Sequence, residues 1–551
     1  MHKIIFDLNK IRSKFFGQVL VRSPYFKNFI HTFWEERANS DIPYSNYFLE
    51  YSPDEFIDFL LNILNKKPET ITWLSQLEEH KKNLLLSFID SLYDYWRTYE
   101  RYLILVNEEG DEISHRMFLK QFSSFSHSIV DSYRDIYETI LGKEQTVYRI
   151  LPSGGNAGVL LSKRNITLPK TVEYLKDVPV VDSVVTQPPF IIKTKQKTRK
   201  GFFFEKNEHV TIDEFKPENL YACCIDVYNT KGIVYFDKEY MGFLIALGNL
   251  FHVSSFDSKK HDKFDFVVLF GTENDSKECY YYKDEDCYVA VCPKKADIDY
   301  FGYCKKIVLT LFNLVMINRN LLPIHGAGIK IRKGNKIKNF VILGDSGAGK
   351  SETIEAIKLL YGQEYQIDTI FDDMGTFHIN DGKVTCTGTE IGAFVRLDDL
   401  DQGYSLRSAD RAVFLNIDEA NSRVVIPLGD FEITLTHHHV DAFLLADNFT
   451  DDDKGLIFYD NPESALQDFI KGERVAMQTT SEKGLVSTYF ANPFGPLQEK
   501  DKVDSYIKKY FDKLFENDIP VGRLYTRLSL DRKTGPHNGA RKLIELFNSM
   551  D

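Results

Sequence analysis

Apolar positions near the start of the chain recur at helical spacing. In "SPDEFIDFLLNIL", Ser52 can cap, Pro53 suits the first helical position and Glu55 completes a capping box, after which Phe56, Leu60, Ile63 and Leu64 share one face. "LLLSFIDSLYDYWRTYERYLILV" continues in the same manner, with aromatics on one side. Residues 1–145 are therefore expected to form an all-α N-terminal domain. A packed helical bundle is the simpler reading and a module that binds a partner the other; no catalytic pattern occurs in it.

From about residue 146 the period shortens. "ACCIDVYNTKGIVYFD", "KFDFVVLFG" and "CYVAVCP" read as strands bounded by turn residues, so 146–310 is expected to be a mixed α/β lobe. From 311 to 551, strands alternate with helices around a glycine loop. The "THHHVDAF" run, His437 to His439, cannot place three imidazoles on one ion if it is extended, because neighbouring strand residues face opposite ways. Arg407 and Arg411 in "DLDQGYSLRSADRA" read as solvated or ion-paired.

Composition narrows the class. With 43% hydrophobic and 27% charged residues in 551 positions, the chain has the balance of a globular protein of several domains. A formal net charge of −12 argues against nucleic-acid or anionic-membrane partners, which select cationic surfaces. The seven cysteines are scattered and form no CxxC pair, which points to a reducing compartment, and neither a secretory leader nor a spanning helix is expected, so a cytoplasmic location is anticipated.

The strongest chemical signal is "FVILGDSGAGKSETIEAIK". Gly344, Asp345, Ser346, Gly347, Ala348, Gly349, Lys350, Ser351 and Glu352 join a strand-like run to a helix-like one. Glycines let backbone N–H groups close around phosphate oxygens; Lys350 would bridge β- and γ-phosphates, and Ser351 would offer its hydroxyl to Mg²⁺. Asp372 and Asp373 close an apolar β-type run about twenty residues on, where paired carboxylates hold a metal ion directly or through water.

Upstream, Tyr300, Lys305–Lys306, Asn313 and His325 have spacings that match a known pattern: Asn313 lies seven residues and His325 nineteen past Lys306. Here the chain resembles ATP-dependent phosphoenolpyruvate carboxykinase. The resemblance runs over roughly residues 295–545. It takes in Lys350, Asp372–Asp373, "GTEIGAF" with Glu390, "SRVVIP" with Arg423, "VDAFLLADNF", and "RLSL" with Arg527. It implies a two-lobed α/β body with a P-loop nucleotide-binding lobe over 311–551, a substrate-side lobe over 146–310 and a cleft between them. It also implies that oxaloacetate and ATP become phosphoenolpyruvate, ADP and CO₂.

By that resemblance Lys306, His325 and Asp373 ligate Mn²⁺, while Mg²⁺ accompanies the ATP. Lys305 and Arg423 balance anionic charge, Tyr300 sits near CO₂ and Arg527 lies by adenine. Arg149, beside the glycines of "YRILPSGGNAG", is a candidate for the substrate carboxylate. The chain departs from the family at Tyr303 and Cys304, at "HGA" (His325 to Ala327) and at the Ser351–Glu352 loop ending. "HGAG" with "GDSGAGKSE" is similar to HPr kinase/phosphorylase, so a kinase acting on a protein or small-molecule hydroxyl stands as the alternative.

Overall fold

The computed structural model describes residues 3–10, 16–37, 51–107, 113–148, 153–197, 203–206, 216–254, 262–273, 276–294, 297–397, 410–417, 422–427, 431–477 and 483–551. The fold is mixed α/β with large sheets. Two compact units emerge: one of Met1–Lys163, Pro179–Lys193 and Ala409–Arg411, the other of Arg164–Val178, Thr194–Ser408 and Ala412–Asp551.

The first unit is not all-helical. Its strands β1 (Lys3–Asp7), β2 (Glu100–Asn107), β3 (Ala157–Ser162) and β4 (Val180–Thr186) lie side by side in that order. The first three are parallel and the last is antiparallel. The helical expectation fails at "ERYLILV" for a physical reason. β2 is buried along Glu100–Leu105, and a short run that is apolar on both faces carries no period to separate strand from helix. The helix before it, α1 (Glu79–Arg97), stops short of that run. Elsewhere the helical pattern holds. The helix Pro53–Leu64 begins with the expected capping box: Ser52 Oγ accepts from the Glu55 amide, and the Glu55 carboxylate accepts from the Ser52 amide at 2.8 Å.

The glycines of "SGGNAG" serve packing in this unit. A Cβ on Gly154 would collide with Ser126, and one on Gly155 with Leu103. Arg101 Nε donates to Gly154 O at 2.6 Å and fixes the loop from beneath. Arg149 lies outside the described residues.

In the second unit, β5 (Leu220–Val227), β6 (Thr230–Asp237), β7 (Phe266–Thr272), β8 (Cys279–Asp284) and β9 (Cys287–Pro293) belong to one sheet, with spatial order β5-β6-β7-β9-β8. The helix α2 (Phe301–Asn318) follows and packs against β7 and β9 on one side. On its other side it packs against β10 (Leu322–Lys333) of a second sheet. A helix between two sheets is covered all round, which explains its apolar sequence: 89% of it is buried, although by length and hydropathy it could cross a membrane.

The second sheet continues with β11 (Lys336–Leu343), antiparallel to β10, and β12 (Gln366–Asn380), antiparallel to β10 on its other edge. Beyond β11 come β13 (Ala442–Asp447) and β14 (Val521–Tyr525), both parallel in direction. The helix α3 (Lys350–Tyr361) leaves the end of β11 through the glycine loop, the expected strand–loop–helix order.

Candidate functional site

The glycine loop is braced from the two neighbouring parallel strands. Asn448, just past β13, donates from Nδ2 to Gly347 O at 2.8 Å; Thr526, just past β14, donates from Oγ1 to Ala348 O at 2.7 Å. Gly349 has φ +93°, a backbone region costly for any side chain, and a Cβ there would fall 2.6 Å from Thr526 Cβ. Gly349→Ala is expected to distort the loop and, with the loop holding ATP as proposed below, to weaken that binding at least ~10-fold, a loss of only ~1.4 kcal/mol; calorimetric titration with MgATP checks this.

Lys350 is buried, its Nζ 3.3 Å from Asp345 O. Ser351 Oγ donates to Asp372 Oδ1 at 2.8 Å, so the hydroxyl after the glycine loop and the first aspartate already meet. Glu352 follows, half-buried in the first turn of α3.

The aspartate pair does not end its strand, as the sequence pattern implied. It lies within the fifteen residues of β12, where Ala327 faces Asp372 and Gly326 faces Asp373. The register shifts just before, and Asp373 has φ +95°, uncommon for a residue with a side chain. Strict alternation would send consecutive carboxylates to opposite faces. Here both reach the same cations, since Lys350 and Lys305 act on each.

Around Asp373 the side chains converge. Lys305 Nζ donates to Asp373 Oδ2 at 2.5 Å and lies 2.9 Å from Glu390 Oε1. His325 Nε2 is 3.0 Å from Asp373 Oδ1, and its Nδ1 is 2.7 Å from Ala491 O. A carbonyl can only accept, so Nδ1 carries its hydrogen. The other nitrogen is left to Asp373 or to an ion beside it. Burial alone would raise Asp373, but Lys305, His325 and Lys350 hold it well below the usual carboxylate range. Burial, together with the charge of Asp373, pushes Asp372 up. Lys305 would be lowered by burial, yet Asp373 and Glu390 raise it above the ordinary lysine value, so it stays charged.

Glu390 is wholly buried, and the cation beside it is Lys305, with Nζ 2.9 Å from Oε1. Burial, only partly offset by Lys305, pushes its carboxyl up to about 8. The folded chain thus holds this proton more tightly than the unfolded chain, whose glutamate titrates near 4.5. That stabilisation is complete below the unfolded value and is lost as pH rises through about 8. Between pH 5 and 8, wild-type stability is expected to fall relative to Glu390→Gln, with a slope of up to ~1.4 kcal/mol per pH unit. Urea denaturation at stepped pH measures it; parallel curves for the two proteins would refute the assignment.

Lys306 is half-buried next to Lys305 on α2, and the cation seated on Asp373 is Lys305. Asn313, the third residue of the spaced pattern, donates from Nδ2 to Phe494 O at 2.5 Å and so tethers the segment that carries Ala491. Tyr300 precedes the first turn of α2 and meets the Phe394 ring edge-on at 6.0 Å. Arg423 lies over that same ring at 5.8 Å and makes no ion pair among the described residues; its Nε is buried without a hydrogen bond. Arg527 is held by the acidic loop after β13, 3.2 Å from Asp451 and 3.7 Å from Asp453.

Sequence reading missed two arginines. Arg396 is the register partner of Arg423 on the adjacent antiparallel strand, so two cations face one another beside Phe394. Arg474, 2% exposed, donates to Asp345 Oδ2 at 3.0 Å. No spacing rule signals either, because each acts through a pairing formed only on folding.

Of the three histidines at 437–439, none joins this cluster. His437 Nε2 is 2.7 Å from Tyr228 Oη, His438 bonds Ile433 O and His439 is exposed. Arg411 is exposed beside Asp410, and Arg407 lies outside the described residues. Among the described residues no three His, Cys, Asp or Glu side chains gather as a metal cluster. A set made of one imidazole, one carboxylate and one amine is of a different kind. No family model and no curated protein matches the chain.

Proposed function

We propose that this chain is an ATP-dependent phosphoryl-transfer enzyme of the phosphoenolpyruvate carboxykinase type, converting oxaloacetate and ATP to phosphoenolpyruvate, ADP and CO₂. The observation that carries the reading is the convergence of the P-loop with a lysine–aspartate–histidine cluster: Ser351 on Asp372, and Lys305 and His325 on Asp373. A simple phosphate-binding loop needs no buried lysine seated on an aspartate beside a buried glutamic acid.

In this reading Lys350 and the loop amides hold the β- and γ-phosphates, and Ser351 with Asp372 holds Mg²⁺. His325 Nε2, ionised Asp373 and Lys306 would hold Mn²⁺. Nitrogen and oxygen donors suit that ion, and the Nδ1–H bond to Ala491 O orients the imidazole as ligand-support bonds do. Bound there, the ion supplies Lewis-acid polarisation of an oxygen. Lys305, Arg423 and Arg396 present fixed positive charge to an anionic substrate. As the C–C bond to the departing CO₂ breaks, its electron pair becomes the enolate, which these cations stabilise. The enolate oxygen then attacks the γ-phosphorus, and the P–O bond to ADP breaks. Tyr300 sits at the start of the same helix, where CO₂ would leave.

A kinase acting on a hydroxyl is the second reading. It is favoured by one observation: the adjacent carboxylates Asp372 and Asp373 lie beside the glycine loop, with Ser351 Oγ on Asp372, where one could orient an alcohol for attack. The burial of all seven cysteines as free thiols accords with a cytoplasmic site of action. Purified protein with Mn²⁺ and Mg²⁺, given oxaloacetate and ATP, is expected to yield phosphoenolpyruvate and ADP in equal amounts. ATP binding without any phosphoenolpyruvate would overturn the carboxykinase reading.

A further inference from the structure

An aspartate inside a phosphate cradle is electrostatically out of place, because the loop exists to receive anions. Asp345 occupies the second position of the loop, and its side chain is 8% exposed. Its charge is compensated inward. Arg474 donates to Oδ2 at 3.0 Å, Thr488 Oγ1 donates to the same oxygen at 2.8 Å, and the Ser346 amide donates to Oδ1 at 2.7 Å. Burial would raise its carboxyl, but His325, Arg474 and these hydrogen bonds hold it below the ordinary aspartate value.

Asp345 Oδ1 also lies 3.5 Å from His325 Nδ1. This is a contact between the carboxylate and the imidazole N–H edge beside the shorter bond to Ala491 O, and His325 is wholly buried, so water does not screen it. His325 therefore has a carboxylate on each side, Asp373 at Nε2 and Asp345 at Nδ1. A carboxylate behind the far nitrogen of an imidazole makes the near nitrogen a better metal donor.

We infer that Asp345, held by Arg474 and Thr488, is a positioning residue for His325. It strengthens this histidine as a transition-metal ligand, at some expense to the phosphate cradle in which it sits. The inference rests on the functional reading above and adds to it a role for Asp345 distinct from phosphate contact. Its signature is a pair of unequal effects. Removing the Asp345 charge weakens the metal and spares the nucleotide, whereas a residue that only shapes the loop would lose the nucleotide first.

The test uses the full chain without nucleotide. Free Mn²⁺ is followed by electron paramagnetic resonance during titration, and MgATP binding is measured separately by calorimetry. Because Asp345→Asn removes the carboxylate that faces buried Arg474, the double variant Asp345→Asn/Arg474→Gln, which removes both charges together, is measured beside it, with circular dichroism to confirm folding. Mn²⁺ affinity is expected to fall ~10- to 100-fold in both variants. MgATP affinity is expected to stay within about threefold of wild type in the double variant. Unchanged Mn²⁺ affinity in the folded double variant overturns the inference alone. An equal loss of ATP and Mn²⁺ overturns it too, by making Asp345 a loop-shaping residue. Failure of the wild-type protein to bind Mn²⁺ overturns the functional reading, and this inference with it.

Discussion

Lys350→Ala is expected to lower turnover by at least ~10²–10³-fold, the scale seen when one preorganised charge donor is removed from a phosphoryl or acyl transition state. Lys350 is the buried cation of the loop, with its ammonium on Asp345 O and both aspartates of β12 in its field. The Thr526 and Asn448 braces do not involve its side chain, so the loop keeps its shape in the variant. Loss is therefore expected in turnover, with the melting temperature little changed. Steady-state rates alongside thermal melts check this, and full turnover by a folded Lys350→Ala protein would remove the P-loop from the chemistry.

The second large effect concerns stability. Lys305 is 7% exposed at its side chain and is the cation shared by Asp373 and Glu390. Lys305→Met takes the cation from ionised, buried Asp373, at an expected cost of ~3–5 kcal/mol. At high pH, where Glu390 would otherwise ionise beside Asp373, Glu390→Gln added to it should restore part of the loss, because the amide needs no counter-ion, while Asp373 retains His325. Denaturant unfolding of the two single variants and the double variant measures the coupling. Strict additivity would mean that Lys305 and Glu390 do not act as a pair.

Much of the segment around the glycine loop was legible in the sequence because it is local. A strand, a glycine loop and a helix follow one another in sequence, whereas the Asn448 and Thr526 braces of the loop form only on folding. The Lys305–His325 relation was legible as a spacing, since α2 leads straight into β10 and fixes the distance between them. What escaped is what depends on pairing. β2 read as helix because a doubly buried strand has no polar face to set a period. The aspartates read as a strand end because their backbone irregularity shows only against β10. Arg396 became visible only as the register partner of Arg423. Arg474 lies well over a hundred positions from Asp345. The spacing made both lysines prominent, but the contacts of Lys305 with Asp373 and Glu390 come from the fold.

The carboxylation direction separates the two functional readings most directly. A kinase moves phosphate without touching a C–C bond; only a carboxykinase joins CO₂ to a three-carbon acid. With phosphoenolpyruvate, ADP, Mn²⁺, Mg²⁺ and labelled bicarbonate, the account predicts label in oxaloacetate, trapped by reduction to malate, with one ATP formed per label incorporated. Label at the level of the Lys350→Ala control, from protein that still binds MgATP, would contradict it.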